Sequence, residues 1–212
     1  MAPGPVKVPD RLRAKVKAGE RAPRGPPGCR LAGLAYNPGV ELERHIRTIP
    51  DFPRQGILFR DITPLLGEPA AFRAALDGLT ERARAAAPGA VVGIESRGFL
   101  FGAPIADRLG LPFVPIRKEG KLPAARLTVE YALEYGESRL DIHQDALAPG
   151  TAAFIVDDVL ATGGTALAAA KLVELLGARV AGMGFLIELE GLGGRERLAA
   201  YRVDALIRFA EA

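Results

Sequence analysis
The segment AAFIVDDVLATGGTALAAAKLVELL, Ala152 to Leu176, restricts the fold more than any other part of the chain. Ala152 to Val156 is a short, uninterrupted apolar run, the pattern of a strand buried on both faces of a parallel sheet. Thr162 to Thr165 is a glycine-rich turn, and ALAAAKLVELL after it is rich in helix formers. Strand, tight turn and helix in that order make a βα unit. Two acidic residues, Asp157 and Asp158, then fall at the carboxyl edge of the sheet, where open α/β folds bind their ligands.

The same alternation extends along the chain. Pro69 to Ala86 sets Phe72, Ala75, Leu76, Leu79 and Ala83 at helical spacing. Strands are expected at Val91 to Ile94, Phe113 to Ile116 and Arg179 to Ile187, with a late edge strand at Val203 to Phe209. Phe99 to Leu109 reads as a helix broken early by Pro104, Val40 to Arg47 as the opening of a helix, and Pro50 to Pro64 as irregular. Arg126 to Gln144 alternates apolar and polar positions about Gly136, as an extended, mobile arm would. No internal repeat is visible. The fold class is α/β, a mostly parallel central sheet flanked by helices.

The turn has the chemistry of an anion site. Gly163 and Gly164 lack a Cβ, so the backbone can come close to a phosphate and aim successive N–H groups at it. The helix that follows contributes unpaired first-turn amides. Thr162 and Thr165 add hydroxyl donors, and Thr165 can alternatively cap that helix. Asp157 and Asp158 repel phosphate but suit hydroxyls, since a hydrogen bond to an ionised carboxylate is worth about 1.5 to 3 kcal/mol. A diol beside a phosphate describes ribose 5-phosphate. A P-loop would need Lys after its second glycine, whereas Gly164 precedes Thr165 and Ala166, and no GxGxxG fingerprint occurs. The plainer alternative is an ordinary β-to-α turn with two solvated aspartates.

The chain has 212 residues, enough for one domain with an appendage. Its net charge of +3 is uneven: residues 1 to 40 hold eight Lys or Arg against two acidic residues and seven of the seventeen prolines. Residues 1–39 therefore read as a basic, largely disordered extension, dispensable for chemistry, and residues 40–212 as the folded domain. Such a tail can bind nucleic acid, but no nucleic-acid partner is expected here. The single cysteine, Cys29, cannot form an internal disulfide, in keeping with a reducing compartment, by default the cytoplasm. No apolar run approaches the about 20 residues that a membrane helix needs. His45 and His143 show no metal-ligand spacing and read as surface residues, so no protein metal site is expected.

Phe154 to Thr165 resembles the phosphoribosyl diphosphate signature of the type I phosphoribosyltransferases. Three more segments, in matching order, resemble the adenine-specific members: IPDFPRQGILFRDITPLL from Ile49, ESRGFLFGAPIA from Glu95, and RKEGKLP from Arg117 with LEYG from Leu133. The likeness runs from about Val40 to the end. It implies a type I phosphoribosyltransferase fold with an N-terminal hood and a mobile catalytic lid. It also implies transfer of phosphoribosyl from phosphoribosyl diphosphate to adenine, giving AMP and pyrophosphate, in a homodimer, with Mg²⁺ held mainly through the diphosphate.

By that resemblance Asp157 and Asp158 hold the ribose hydroxyls, and Ala161, Thr162, Gly163, Gly164 and Thr165 hold the 5′-phosphate. Arg97, Arg117 and Lys118 meet pyrophosphate, and Lys121 serves the same or a neighbouring subunit. The backbone of Leu58 reads the adenine edge, Phe59 packs on the ring, Arg60 lies beside Glu95, and Leu189 closes the opposite face. Glu134, next to Tyr135, exchanges a proton with adenine N7, with Asp157 as the alternative. The Glu95–Ser96 bond is a candidate cis peptide. Glu95 and Leu58 stand where some relatives carry Asp and Val. Two other readings remain open: a ligand-sensing regulator that kept the phosphate loop, and an enzyme for 6-oxopurines.

Overall fold
The computed structural model describes residues 40–132 and 137–210, which fall within the compact unit Tyr36–Ala212. The expectations for residues 1–39, for the turn at Gly136 and for Glu134 and Tyr135 lie outside the described residues.

The chain enters through a single 3-10 turn, Leu42–His45, and then pairs β1 (Arg47–Ile49) with β2 (Phe59–Asp61) antiparallel. The helix expected over Val40 to Arg47 is thus only one turn, because Arg47 onward is drawn into strand pairing. Asp61 locks this entry: Arg47 donates to its Oδ2 at 3.0 Å, and the Thr63 amide and hydroxyl donate to Oδ1 at 2.9 and 2.6 Å. Those donors from Thr63 and then Arg47 hold the carboxyl at about 2. The stretch Pro50 to Pro64 is therefore less irregular than its prolines implied, and α1 (Thr63–Gly67) carries Pro64 in its first turn, where a missing N–H is harmless.

α2 (Pro69–Ala85) starts on Glu68, whose side chain accepts from the Ala70 amide at 3.3 Å, with Pro69 at the first position. Then come β3 (Ala90–Ile94), α3 (Gly98–Leu109) and β4 (Phe113–Lys118). Pro104 does not break α3. It removes one bond, to the Leu100 carbonyl, yet α3 runs on to Leu109 with Phe101, Ile105 and Ala106 buried in the core, so packing of the apolar face holds the helix across the lost bond. The hairpin β5 (Arg126–Ala132) and β6 (Glu137–His143) is the expected extended arm, and β6 adds antiparallel to β4 through Arg117 and Lys118. β7 (Ala152–Leu160), α4 (Gly164–Leu175) and β8 (Arg179–Leu189) follow, and after a 3-10 turn a short α5 (Gly194–Arg197) leads to β9 (Val203–Phe209).

The main sheet runs β5-β6-β4-β3-β7-β8-β9, parallel from β4 to β9. β4 lies on one side of β3 and β7 on the other, so the strand order reverses there and opens a crevice at the carboxyl ends. Two apolar layers sandwich the sheet. α2 and α3 cover one face through Leu79, Phe101 and Ile105, and α4 covers the other through Ala169, Leu172 and Val173, all fully buried. Full burial of such a Leu, Ile, Val or Phe side chain stabilises by about 1.5 to 3 kcal/mol each. Among the described residues no helix is long and apolar enough to cross a membrane.

Candidate active site
β3 pairs with β7 only as far as Val156, whereas β7 continues along β8 to Leu160. Asp157 and Asp158 therefore belong to the strand itself, beyond the Ala152 to Val156 run, on the stretch where one edge has lost its neighbour. That step in the sheet opens a cavity of about 350 Å³. Both carboxylates line it, together with Glu95, Arg97, Lys118 and the whole loop Ala161–Thr165. Three segments far apart in sequence thus meet at one crevice.

The acidic pair is short of donors from the protein. Asp157 Oδ1 accepts the Asp158 amide at 2.9 Å. The buried Oδ2 of Asp158 lies 2.9 Å from Nε of Arg97, without the alignment of a hydrogen bond. Burial first, and the charge of Asp158 second, push the Asp157 carboxyl well above its ordinary range. Burial also raises Asp158, against the pull of Arg97. Two crowded carboxylates with spare acceptor capacity are a site for hydroxyl donors or a cation.

The loop beside them is built for close backbone approach. Gly163 has φ +76 and caps α4, its carbonyl taking the Leu167 amide at 2.9 Å. Behind it lies α5, which the sequence did not single out. A Cβ on Gly194 would stand 2.1 Å from the Ala161 carbonyl oxygen, and one on Gly163 would stand 2.8 Å from that of Gly194. α5 is held by Glu188, 3% accessible, which takes Arg195 through two bonds of 2.7 and 2.5 Å. Gly194→Ala should therefore displace Ala161 and weaken binding of an anion by the loop about tenfold or more, the equivalent of about 1.4 kcal/mol. Titration calorimetry with inorganic phosphate checks it, and an unchanged affinity would show that the loop tolerates the shift.

The cations beyond Arg97 gather on Glu95. Glu95, at the end of β3 and joined to Ser96 by a cis peptide, binds Lys121, the Lys118 amide at 3.0 Å and Nε of Arg117 at 3.0 Å. Burial alone would raise this carboxyl, but the donors from Lys121, Lys118 and Arg117 outweigh it and hold it at about 2. Buried Asp141 of β6 steadies the loop that carries these cations, accepting the Gly120 amide at 3.0 Å and the Thr128 hydroxyl at 2.7 Å.

The aromatic hood is nearby but forms no wall of this cavity. Phe59 lies 5.7 Å from the Arg97 guanidinium, and Phe52 meets its edge at 5.1 Å between centroids. Arg60 stacks on Phe209 at 4.0 Å and donates to Thr48 at 2.6 Å. Leu58 and Leu189 are half-buried, Leu189 pairing with Phe209 at the end of β8. The hairpin, by contrast, does enter the cavity, through Tyr131 and Ser138. His45 and His143 are half-buried rather than free surface residues, and Nε2 of His143 is buried without a partner. Among the described residues no three of His, Cys, Asp and Glu gather as a metal cage would require.

The family model described as "Phosphoribosyl transferase domain" matches residues 69–211. An adenine phosphoribosyltransferase of Synechococcus sp. is 55% identical over 170 residues, covering 80% of this chain and 99% of its own length. The crystal structure of the adenine phosphoribosyltransferase from Thermoanaerobacter pseudethanolicus superposes with a TM-score of 0.76 at 48% identity, over 80% of this chain and 98% of that one. That of Saccharomyces cerevisiae, complexed with an imino-altritol bisphosphate and adenine, gives 0.73 at 38% identity, over 79% and 96%. With its fold, glycine-rich loop and acidic pair in place, the chain belongs to the phosphoribosyltransferase family, among the adenine phosphoribosyltransferases.

Proposed function
We propose that the protein transfers the 5-phosphoribosyl group from phosphoribosyl diphosphate to adenine, releasing AMP and pyrophosphate in a purine-salvage reaction. The observation that carries this reading is the confluence of Asp157 and Asp158 with the Ala161–Thr165 loop in one cavity. The loop amides and Thr hydroxyls take the 5′-phosphate, and the two carboxylates take the ribose hydroxyls. Such contacts hold the anomeric carbon still while its bond to the diphosphate breaks and a bond to adenine N9 forms. The electron pair leaves with pyrophosphate, and the N7 proton of adenine passes to Glu134, with Asp157 as the alternative acceptor.

The cations of the site give the leaving group its counter-charge. Arg97 and Lys118 line the cavity, while Arg117 and Lys121 reach it through Glu95. Pyrophosphate would compete with Glu95 for those side chains and spread its growing charge over them. Mg²⁺ fits the same site as a companion of the diphosphate, held by substrate oxygens and water, because two crowded carboxylates favour a nearby dication. When bound, it neutralises charge on the departing group.

On the base side, Leu58, Phe59, Arg60 and Leu189 form the adenine pocket in this reading, with main-chain acceptors for the exocyclic amine. A 6-oxopurine would leave those groups unpaired. By family resemblance the active form is a cytoplasmic homodimer.

Purified protein given Mg²⁺, phosphoribosyl diphosphate and each purine in turn should release pyrophosphate with adenine alone. Release with 6-oxopurines instead would refute the base assignment, and no release with any purine would favour a ligand sensor.

A further inference from the structure
β5 lays alternate side chains on opposite faces, as any strand does. Thr128 and Glu130 point to polar partners, the Thr128 hydroxyl to Asp141 at 2.7 Å and Glu130 to Arg139 at 2.7 Å. Leu127, Val129 and Tyr131 face the core layer that contains α4. Packing alone asks only for an apolar ring at the third position, yet this one carries a hydroxyl and lines the cavity. The Tyr131 oxygen lies 3.4 Å from Oγ1 of Thr165, the second residue of α4. That separation is long for a direct O–H···O bond, which spans about 2.5 to 3.0 Å. It suits two donors that share an acceptor, since one oxygen can lie about 2.7 Å from both.

We propose that Tyr131 is a binding residue for the 5′-phosphoryl group, its hydroxyl donating to a phosphoryl oxygen held between it and Thr165. The inference rests on the ribosyl-phosphate reading of the cavity and adds a contact from outside the phosphate loop. An acceptor at that point would also face the unpaired first-turn amides of α4, so one oxygen would gather donors from two elements that the chain connects only distantly. The hairpin would then be tied to the loop through the ligand rather than through the weak direct contact.

The variant Tyr131→Phe tests this with one atom removed and the ring kept on α4. Titration calorimetry of the full chain should show ribose 5-phosphate bound about tenfold more weakly by Tyr131→Phe, as loss of one hydrogen bond to a charged group implies. Pyrophosphate affinity, the KM for adenine and Tm should be unchanged. Equal ribose 5-phosphate affinity in the two proteins would overturn the proposal and leave the cavity assignment intact. An equal loss for pyrophosphate would overturn it too, by showing a general disturbance. A wild-type chain that fails to bind ribose 5-phosphate would overturn the underlying assignment as well.

Discussion

Replacing both aspartates, Asp157→Asn with Asp158→Asn, is expected to raise the KM for phosphoribosyl diphosphate by about a hundredfold or more. Each change turns a charge-assisted hydrogen bond into a neutral one, and such bonds are worth about 1.5 to 3 kcal/mol apiece. The KM for adenine should move little, because the proposed binding contacts of the pair are with the ribose hydroxyls. Initial rates with one substrate varied and the other saturating separate the two, and a rise confined to adenine would remove the pair from the ribose site.

The same residues carry an opposite effect on stability. Burial and the neighbouring charge raise the Asp157 carboxyl in the folded chain, which therefore holds its proton more tightly than the unfolded chain does. The stability this contributes is complete below the ordinary value of about 3.9 and is lost as pH rises through the raised one. Above the raised value, ionised Asp157 weakens the empty fold, so Asp157→Asn alone should raise the Tm of the ligand-free protein there. Thermal unfolding across pH checks the sign: the gain should shrink to nothing in acid, and one that persists there would have another origin.

Glu134→Ala is expected to lower kcat by about 10² to 10³ while leaving the KM for phosphoribosyl diphosphate within about twofold. General acid or base catalysis contributes about 10² to 10⁴-fold, and its loss falls on the chemical step rather than on binding of the ribosyl donor. β5 brings Tyr131 and β6 brings Ser138 to the cavity wall. If Glu134→Ala keeps its kcat and Asp157→Asn alone loses it, the proton acceptor is Asp157 instead.

Local structure was legible wherever the groups concerned are neighbours in the chain. The acidic pair, the glycine turn and α4 lie within one βα unit, so their order along the sequence is also their order in space. The limits of β7 were not legible in the same way. An apolar run ends where charge begins, yet β7 continues through two aspartates because β8 goes on pairing with it after β3 has stopped. Pro104 misled for a related reason: whether a helix survives the lost bond depends on how its apolar face packs, and that is a property of the whole fold. Gly194 gave no signal at all, being one glycine among 25 until the Ala161 carbonyl is seen against it.

Taken alone, the sequence determined the α/β class and the placing of the glycine-rich loop and its acidic companion within one βα unit, because propensity, periodicity and backbone freedom act over a few residues. Only the tertiary structure decided which distant groups share the crevice: Arg97 beside Asp158, Glu95 holding the cations of β4 and its loop, Tyr131 beside Thr165, and α5 behind the loop. Those meetings follow from the order of strands across the sheet. Parallel crossovers carry the carboxyl ends of successive strands to one edge, and where the order reverses between β3 and β7 they leave a gap that no local pattern encodes.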